Sequence, residues 1–458
     1  MITNLESQHK KQLTDNSEKL LKEALELALP PEPINRGALN KTKERTMTRR
    51  GIIWLGQVCN LKCHFCYFTD RLSDTTHPEH GFMSLEKAKA ICKTLVDFYG
   101  NNTIDIQGGE PTIWKPVYEL VSYCKEIGLI PTVITNGQAL ADVGRVIRFK
   151  KAGIGDFLVS VQGLGPVYDH IVGRPGAHVR QMKALRNLQE VGVPFRINCV
   201  LTKDVLPQLH QIAELAITVG ANVVNFITFN PFDDQRKKGK RTSENVATYK
   251  ELGLHLNGVL DVLADNGVEA NVRNLPLCVV NERHRPTVYN HQQIPFDLHE
   301  NDFASWSWTG MQPQRMAGCN LTPPVKFGPK VWLGPSRTPF RWLGERPIVG
   351  PLLLGAKRKI DQFTGQHGSI LRGKLTTEEM YRREARLRAH DQVGFRHVSA
   401  CNACDLKLIC DGFHADYDPF INEDAAQPVS VGFTVDDPKF YISQQLKVVY
   451  PADSCNIS

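Results

Sequence analysis

The sequence has little of what a secreted or membrane protein needs. Residues 1–20 are polar and charged, where a secretory signal would be apolar. The apolar stretch at residues 348–355 is broken by proline and glycine and is far shorter than the roughly 20 residues that span a bilayer. We therefore expect no membrane span, and we expect the 12 cysteines to lie in a reducing cytoplasm rather than in disulfides.

The sequence also lacks a long block of charge of one sign. Lysine and arginine number 55 against 48 aspartates and glutamates, which gives a net charge of +7 on 458 residues. The densest basic stretch, residues 236–241, is expected to be a solvated loop, with contact to an acidic peptide, a phosphate or RNA as the alternative. Charge this modest and scattered disfavours a nucleic-acid partner.

Three cysteines on one short loop are the most informative feature that is present. Cys59, Cys63 and Cys66 follow the apolar run at residues 51–58, with three and then two residues between them. Soft thiolates select zinc or iron–sulfur centres, and no histidine or fourth cysteine stands nearby at the spacing that closes a tetrahedral zinc site. A [4Fe–4S] cluster usually takes four cysteines, so three leave one iron open to a substrate or cofactor.

Short apolar runs alternate with longer amphipathic segments from residue 51 onward, which indicates repeated βα units and a parallel sheet. The pattern predicts strands over residues 52–58, 103–107, 131–135, 157–161, 195–201 and 223–229, and helices over residues 84–99, 117–127, 138–151, 178–191, 208–219 and 244–264. Polar residues stand at the carboxyl ends of these strands, where parallel βα folds carry their chemistry.

Three further segments depart from this rhythm. Residues 17–29 predict an amphipathic helix docked on its own domain, with docking on a partner as the alternative. Residues 274–345 are rich in Pro, Trp and Asn and predict an irregular wall of the substrate cavity, because exposed tryptophan is costly. Residues 375–388 carry many charges and predict an exposed helix.

A second compact cysteine set lies near the end of the chain. Cys401, Cys404 and Cys410 have two and then five residues between them. Zinc is a serious alternative to an iron–sulfur cluster here. A fourth ligand would come from Cys278, Cys319 or His414, or would be absent so that a substrate can bind.

The first cysteine spacing, the aromatic residue before its third cysteine and the Gly-Gly-Glu-Pro stretch at residues 108–111 resemble the radical S-adenosylmethionine (SAM) enzymes. The resemblance implies an α/β fold, the partial (β/α)6 TIM-like barrel. It implies that the open iron binds the SAM methionine and that an electron from the cluster cleaves SAM to a 5′-deoxyadenosyl radical. The residues it implies at the cofactor are Phe65 beside adenine, Gly108, Gly109 and Glu110 at the methionine ammonium, and Asn136, Ser160, Gln162 and Asn198 elsewhere on SAM. Many peptide-modifying members carry Asp where this chain has Gln162.

The second cysteine set resembles the SPASM and twitch domains, which add auxiliary [4Fe–4S] clusters to such barrels. The SPASM pattern has a further cysteine where this chain has His414, so the resemblance implies one auxiliary cluster rather than two. It favours Cys278 as the fourth ligand over Cys319. If Cys278 is the ligand, Cys319 is left as a thiol that could donate a hydrogen atom to a substrate radical. The implied regions are an extension at residues 1–45, the barrel at 46–270, and the auxiliary-cluster domain with its tail at 271–458.

The leading hypothesis is a radical SAM enzyme that abstracts a hydrogen atom from a ribosomal peptide, for example in epimerisation or crosslinking. The alternative substrate is a sugar, nucleoside or other small natural-product precursor. A reducing partner such as flavodoxin or ferredoxin is expected. A hypothesis of another class is a non-enzymatic scaffold in which both cysteine loops hold zinc.

Overall fold

The structure is a computed structural model that describes most of the region from residue 50 to residue 297 and parts of the C-terminal region. The described ranges are residues 41–45, 50–66, 81–99, 101–231, 236–297, 304–306, 394–414 and 426–448, with isolated positions 349, 352 and 356. The predicted helices over residues 17–29 and 375–388, and Cys319, lie outside the described residues. Those predictions are therefore untested.

One parallel sheet forms the centre of the fold, and its strands follow chain order from β2 to β9, with β10 paired to β2 at the opposite edge. The strands are β1 (Lys41–Thr42), β2 (Arg50–Trp54), β3 (Thr103–Gln107), β4 (Ile130–Thr135), β5 (Asp156–Ser160), β6 (Phe195–Leu201), β7 (Val223–Thr228), β8 (Glu269–Arg273), β9 (Val288–Tyr289), β10 (Ala304–Trp306), β11 (Phe395–Arg396), β12 (Phe413–His414) and β13 (Lys447–Val448). The predicted partial TIM-like barrel is confirmed.

The sheet continues beyond the six predicted strands, because β8 and β9 extend it past residue 266. In β8, the polar residues Glu269, Asn271 and Arg273 alternate with Ala270 and Val272, and all five are buried. Polar side chains on the inner face leave no continuous apolar run, so the hydrophobic pattern that marks the other strands is missing here. This strand can therefore be recognised only in the structure, from its pairing with β7.

Helices cover the outer face of the sheet. They are α1 (Leu85–Tyr99), α2 (Val117–Glu126), α3 (Val143–Ala152), α4 (Gly165–Val172), α5 (Ala177–Val191), α6 (Leu209–Thr218), α7 (Tyr249–Asp265) and α8 (Lys439–Ile442), and short 3-10 helices occupy Pro111–Ile113, Gln138–Ala141, Leu206–Gln208, Leu277–Val279, Glu282–Thr287, Ile294–Phe296 and Ser399–Ala403. The six predicted helices are present, while α4 is not among the predictions. None of the helices in the described part of the chain is long and apolar enough to cross a membrane.

The start of α7 lies five residues after its predicted position. The helix begins at Tyr249 rather than at residue 244, because Thr248 and Glu251 form a reciprocal capping box. The Thr248 N–H donates to Glu251 Oε2 at 2.7 Å, and the Glu251 N–H donates to Thr248 Oγ1 at 3.2 Å. These two bonds satisfy backbone donors that a helix end leaves without partners.

A buried ionic network ties together the inner faces of β2 to β6. Arg50 Nη1 donates to Asp105 Oδ1 at 2.8 Å and to Thr132 Oγ1 at 2.9 Å. The Thr132 hydroxyl in turn donates to Asp156, whose second oxygen accepts from Arg196 Nε at 2.5 Å. The nearby Arg196 guanidinium lowers the pKa of Asp156, although burial acts to raise it. The network therefore favours the charged form of Asp156 inside the barrel.

The chain after residue 426 returns to the barrel. Strand β13 pairs antiparallel with β1, and Lys447 Nζ lies 2.7 Å from Asn271 Oδ1 and 3.4 Å from Glu269 Oε2, fully buried. The charge of Lys447 is thereby balanced by a carboxylate of β8. This contact attaches the C-terminal segment to the inner face of the sheet.

Removing the buried guanidinium should destabilise the barrel strongly. We expect Arg196→Met to lower the free energy of unfolding by about 3–5 kcal/mol, because Asp156 would stay buried without its main counter-ion. Chemical denaturation monitored by circular dichroism measures the loss. Arg186→Met is the control, since the Arg186–Glu190 pair at 2.7 Å is about half exposed and such pairs contribute about 0.3–0.5 kcal/mol. Equal losses in the two variants would contradict a stabilising role of the network.

Candidate active site and auxiliary cysteine site

The first cysteine loop leaves the end of β2 and is held in place by α4. The Lys62 N–H donates to Val172 O at 3.0 Å, and the His64 N–H donates to Ile171 O at 3.1 Å. Leu61 is buried between these contacts. Because α4 is absent from the predictions, this support of the loop is a feature that only the structure reveals. The short apolar segment after Gly163-Leu164 is the sequence feature that could have predicted α4.

The three thiols of this loop influence one another. Burial is the main cause that raises the pKa of Cys59, to about 12, and Glu110 and Cys66 add to it. Burial also raises the pKa of Cys63, with Cys59 and Cys66 as the next causes. Thiols this close together and this poorly solvated would not ionise by themselves, whereas metal ligation removes their protons. The three residues therefore fit a metal centre better than they fit free thiolates.

The described residues contain no group of three His, Cys, Asp or Glu side chains that converges as the ligands of one metal ion must. In a [4Fe–4S] cluster each thiolate binds a different iron, so its ligands need not meet at a single point. The loop geometry is compatible with that arrangement.

Close backbone approach explains the two glycines that follow β3. A Cβ atom on Gly109 would lie 2.2 Å from Val58 O, and one on Gly108 would lie 2.5 Å from Gly56 O. Two backbone hydrogen bonds cross this contact. The Gly109 N–H donates to Gly56 O and the Glu110 N–H donates to Val58 O, both at 2.9 Å. The predicted cofactor residues Gly108 and Gly109 thus join the cysteine loop directly to the end of β3.

Glu110 is fully buried in this structure and organises the next strand end. Its Oε1 accepts from the Thr112 N–H at 3.0 Å and from Thr135 Oγ1 at 2.7 Å, and the Thr112 hydroxyl also donates to it. Its Oε2 accepts from the Asn136 N–H at 2.7 Å. Burial raises the pKa of Glu110 and these hydrogen bonds oppose the rise. The carboxylate thus joins the ends of β3 and β4, and its contact with SAM remains a prediction.

The other predicted cofactor residues lie at the carboxyl ends of β2 to β6. Asn136 Nδ2 donates to Asn60 Oδ1 at 2.8 Å, which links β4 to the cysteine loop. Both ends of the Gln162 amide contact the β6 backbone, with Nε2 donating to Asn198 O at 3.3 Å and Oε1 accepting from the Val200 N–H at 2.8 Å. Ser160 and Phe65 are half-buried, and the buried Asn198 Oδ1 has no partner among the described residues. The Gln162 amide therefore bonds to β6, and Asn198 Oδ1 is left without a partner among the described residues.

An open ring of side chains marks the barrel mouth. Each strand from β2 to β7 has one half-buried, inward-facing residue near its carboxyl end, and the strand positions beneath that residue are mostly buried. These six residues are Trp54, Gln107, Ile134, Ser160, Val200 and Ile227. All six are uncharged. The sheet therefore opens at the edge that carries the cysteine loop.

The structure brings the second cysteine set together with Cys278. Cys278, Cys401, Cys404 and Cys410 line one cavity. Burial raises the pKa of Cys278, and Cys401 and Cys404 raise it further. Four thiols around one space form the usual ligand set of a [4Fe–4S] cluster. His414, the alternative ligand, does not line this cavity, and its side chain is buried beside Phe395.

Backbone N–H groups donate hydrogen bonds to two of these sulfurs. The Gly412 N–H donates to Cys410 Sγ and the Val429 N–H donates to Cys404 Sγ, both at 3.4 Å. The segment that carries Val429 is held by Asp405, whose Oδ2 accepts from the Val431 N–H at 2.7 Å and the Gly432 N–H at 3.0 Å. Hydrogen bonds to sulfur tune iron–sulfur potentials, so these residues also fit an auxiliary cluster.

Residues 55–216 match the family model of the Radical SAM superfamily. The chain is 32% identical over 174 residues to the AdoMet-dependent heme synthase of Oleidesulfovibrio alaskensis, covering 38% of this chain and 43% of that protein. It is 30% identical over 165 residues to the Fe-coproporphyrin III synthase of Methanosarcina barkeri, covering 36% and 40%. The chain thus spans less than half the length of these curated relatives.

Solved structures cover a similar share. The crystal structure of Streptococcus suis SuiB bound to S-adenosylmethionine is 22% identical, with a TM-score of 0.41 over 49% of this chain and 50% of that one. The native anSMEcpe structure with bound AdoMet and Cp18Cys peptide is 20% identical, with a TM-score of 0.37 over 48% and 62%.

The similarity to the Radical SAM superfamily thus covers residues 55–216, which contain the cysteine loop and the Gly-Gly-Glu-Pro turn. Enzymes of this superfamily use a [4Fe–4S] cluster and SAM. The matched segment contains the loop of Cys59, Cys63 and Cys66 and ends within α6. It does not include the auxiliary cysteine site.

Adding a methyl group at Gly109 should push the cysteine loop away from the Gly-Gly-Glu turn. We expect Gly109→Ala to abolish SAM binding and to lower the iron content, because its Cβ would overlap the carbonyl oxygens of Val58 and Gln57. Equilibrium dialysis with labelled SAM and iron analysis under anaerobic conditions measure both effects. Gly258→Ala is the control, since a Cβ there meets nothing within 4 Å. Wild-type SAM affinity in Gly109→Ala would show that this close approach is not required.

Proposed function

We propose that this chain is a radical SAM enzyme that generates a 5′-deoxyadenosyl radical in its barrel and uses it to abstract a hydrogen atom from a substrate. The observation that carries the proposal is the junction of the cysteine loop, the Gly-Gly-Glu turn and Asn136 at one barrel edge. When bound by Cys59, Cys63 and Cys66, a [4Fe–4S] cluster supplies the electron that cleaves SAM to methionine and that radical.

The chain's own residues give this site its shape. Glu110 fixes the backbone at Asn136, and Asn136 fixes Asn60 beside Cys59. Phe65, Ser160 and Asn198 stand where contacts with the rest of SAM are proposed. The half-buried ring of uncharged side chains at the barrel mouth would surround the reacting part of the substrate and limit its access to water.

We propose further that Cys278, Cys401, Cys404 and Cys410 hold one auxiliary [4Fe–4S] cluster. Their shared cavity and the N–H groups directed at Cys404 and Cys410 support this assignment. A complete set of four thiolates leaves no iron open to the substrate, which favours electron transfer over direct substrate binding. In this assignment Cys319 is not a ligand and remains a proposed hydrogen-atom donor.

The substrate is proposed to be a ribosomal peptide or a sugar, nucleoside or other small natural-product precursor. The relatives named for heme, coproporphyrin or GTP chemistry align over less than half of this chain. That shared part contains the SAM-binding half of the site, so it supports the radical chemistry and carries no information on the substrate. A reducing partner such as flavodoxin or ferredoxin is proposed as the source of the electron.

Replacing the three cysteines of the first loop should show that the two proposed metal centres bind iron independently. We expect the Cys59→Ala, Cys63→Ala, Cys66→Ala triple variant to fold, to keep about four irons per chain, the content of one [4Fe–4S] cluster, and to form no 5′-deoxyadenosine. Iron analysis and chromatography after dithionite reduction under anaerobic conditions measure this.

A triple alanine variant of the fully buried Cys92, Cys124 and Cys199 is the matched control and should keep both properties. 5′-Deoxyadenosine from the first variant would refute the assignment of the loop. A colourless zinc protein in place of a brown iron protein would support the scaffold hypothesis instead.

Single substitutions should identify the fourth auxiliary ligand. We expect Cys278→Ala to lose iron from the auxiliary site and Cys319→Ala to keep it, because Cys278 lies in the cavity with the other three thiols. Iron content and Mössbauer spectra of the two variants provide the comparison. Iron loss in Cys319→Ala but not in Cys278→Ala would reverse the assignment. Normal turnover by Cys319→Ala would exclude its role as hydrogen-atom donor.

A further inference from the structure

Several buried polar atoms lack partners where the barrel meets the auxiliary loop. Asn230, Asn274 and Asn290 directly follow or lie close after β7, β8 and β9, and Asp411 follows Cys410. Asn230 Oδ1, Asn274 Oδ1, Asp411 Oδ1 and both amide atoms of Asn290 are buried without a hydrogen-bond partner among the described residues. Asn290 and Asp411 are 0% exposed and Asn230 is 4% exposed.

Hydrogen bonds connect the segments that carry the four residues. The Asn274 N–H donates to Tyr289 O at 3.2 Å, which brings the end of β8 against the residue before Asn290. The next residue, His291, donates through its backbone N–H to Asp411 Oδ2 at 2.8 Å and has its ring Nδ1 2.7 Å from the same oxygen. On the other side, Thr228 Oγ1 donates to Arg273 O at 2.9 Å. The four residues therefore lie on segments that are joined to one another.

Leaving these groups unsatisfied would be costly. A buried polar group without a hydrogen bond costs about 1–3 kcal/mol, and five such atoms belong to these four residues. The backbone of Asn274 is also unusual, with a positive φ of 61°, the one such value for a non-glycine residue in the described chain. Strained backbone and unsatisfied polar groups cluster at ligand sites.

The donor and acceptor pattern defines the ligand. The site offers four acceptors, one on each residue, and one donor, the Asn290 amide nitrogen. A hydroxyl group can satisfy both kinds of partner, because it donates one hydrogen bond and accepts others. An ammonium group has no acceptor for Asn290, so it matches the site less well.

The nearby charges favour a neutral ligand. Asp411 contributes a negative charge that would repel an anion. Arg241, whose guanidinium lies 3.8 Å from the centre of the Phe229 ring and donates to Asn230 O, would repel a cation. The opposite charges on the two sides leave a polar and uncharged group as the best match.

We infer that Asn230, Asn274, Asn290 and Asp411 form a site that binds the hydroxyl groups of a polyhydroxylated substrate such as a sugar. The inference rests on the proposed function, since it assigns the substrate class of that enzyme. Asp411 directly follows Cys410, and the three asparagines lie at the carboxyl end of the sheet. It favours the small-molecule alternative over the peptide.

Ligand-observed NMR with the reconstituted enzyme and SAM tests the inference. The probes are methyl α-D-glucopyranoside, its hydroxyl-free counterpart 2-methoxytetrahydropyran, and N-acetyl-Ser-Thr-amide. We expect saturation transfer to the glucoside alone, and its reduction at least fivefold in Asn290→Leu and in Asn230→Leu. Transfer only to the Ser-Thr peptide, or equal transfer to glucoside and hydroxyl-free ring, would overturn the sugar assignment.

Thermal unfolding provides a second measurement that needs no probe. Asn290→Leu removes two unpartnered atoms, so it should lower the melting temperature less than Asn187→Leu does. Asn187 is the matched control because it is buried, its Nδ2 donates to Leu140 O at 2.8 Å, and it lies on α5. Equal or greater loss in Asn290→Leu would show that its amide is already satisfied, and would overturn the site.

SAM cleavage separates the failure of this inference from failure of the proposed function. The wild-type preparation used for NMR is assayed for 5′-deoxyadenosine after reduction. If it forms the product but does not bind the glucoside, the radical SAM function stands and the sugar assignment is wrong. If it forms no product, the proposed function itself fails.

Discussion

The candidate active site depends on one close backbone contact between the ends of β2 and β3. Gly108 and Gly109 lack side chains where any Cβ would overlap the carbonyl groups of Gly56, Gln57 or Val58. Two hydrogen bonds across this contact fix the cysteine loop against the Gly-Gly-Glu turn. From there Glu110 reaches Asn136, so an interaction of two strands determines the position of a third.

The interior of the barrel has a different chemistry at each end. Beneath the mouth, charged pairs such as Arg196–Asp156 and Lys447–Glu269 are buried and paired. At the mouth, the half-buried residues are uncharged. Buried pairs hold neighbouring strands in register, while the uncharged mouth would leave room for the proposed substrate. The charged pairs and the uncharged mouth therefore lie at different levels along the same strands.

The auxiliary site joins two segments that lie far apart in sequence. Cys278 comes from the 3-10 helix after β8, whereas the other three thiols come from the loop at residues 401–410. The His291–Asp411 contact connects the same two segments a short distance away.

The sequence by itself determined the partial barrel, the six strands that carry apolar runs, and both cysteine sets, because hydrophobic period and ligand spacing are local properties of a chain. It could not show β8, whose inner face is polar, or α4, which is short. It left Cys278 and Cys319 as alternatives, and only the tertiary structure placed Cys278 in the cavity with the other thiols. The unpartnered amides of Asn230 and Asn290 were invisible in the same way. Burial and hydrogen bonding between distant segments are set by how strands pack, and no local pattern encodes them.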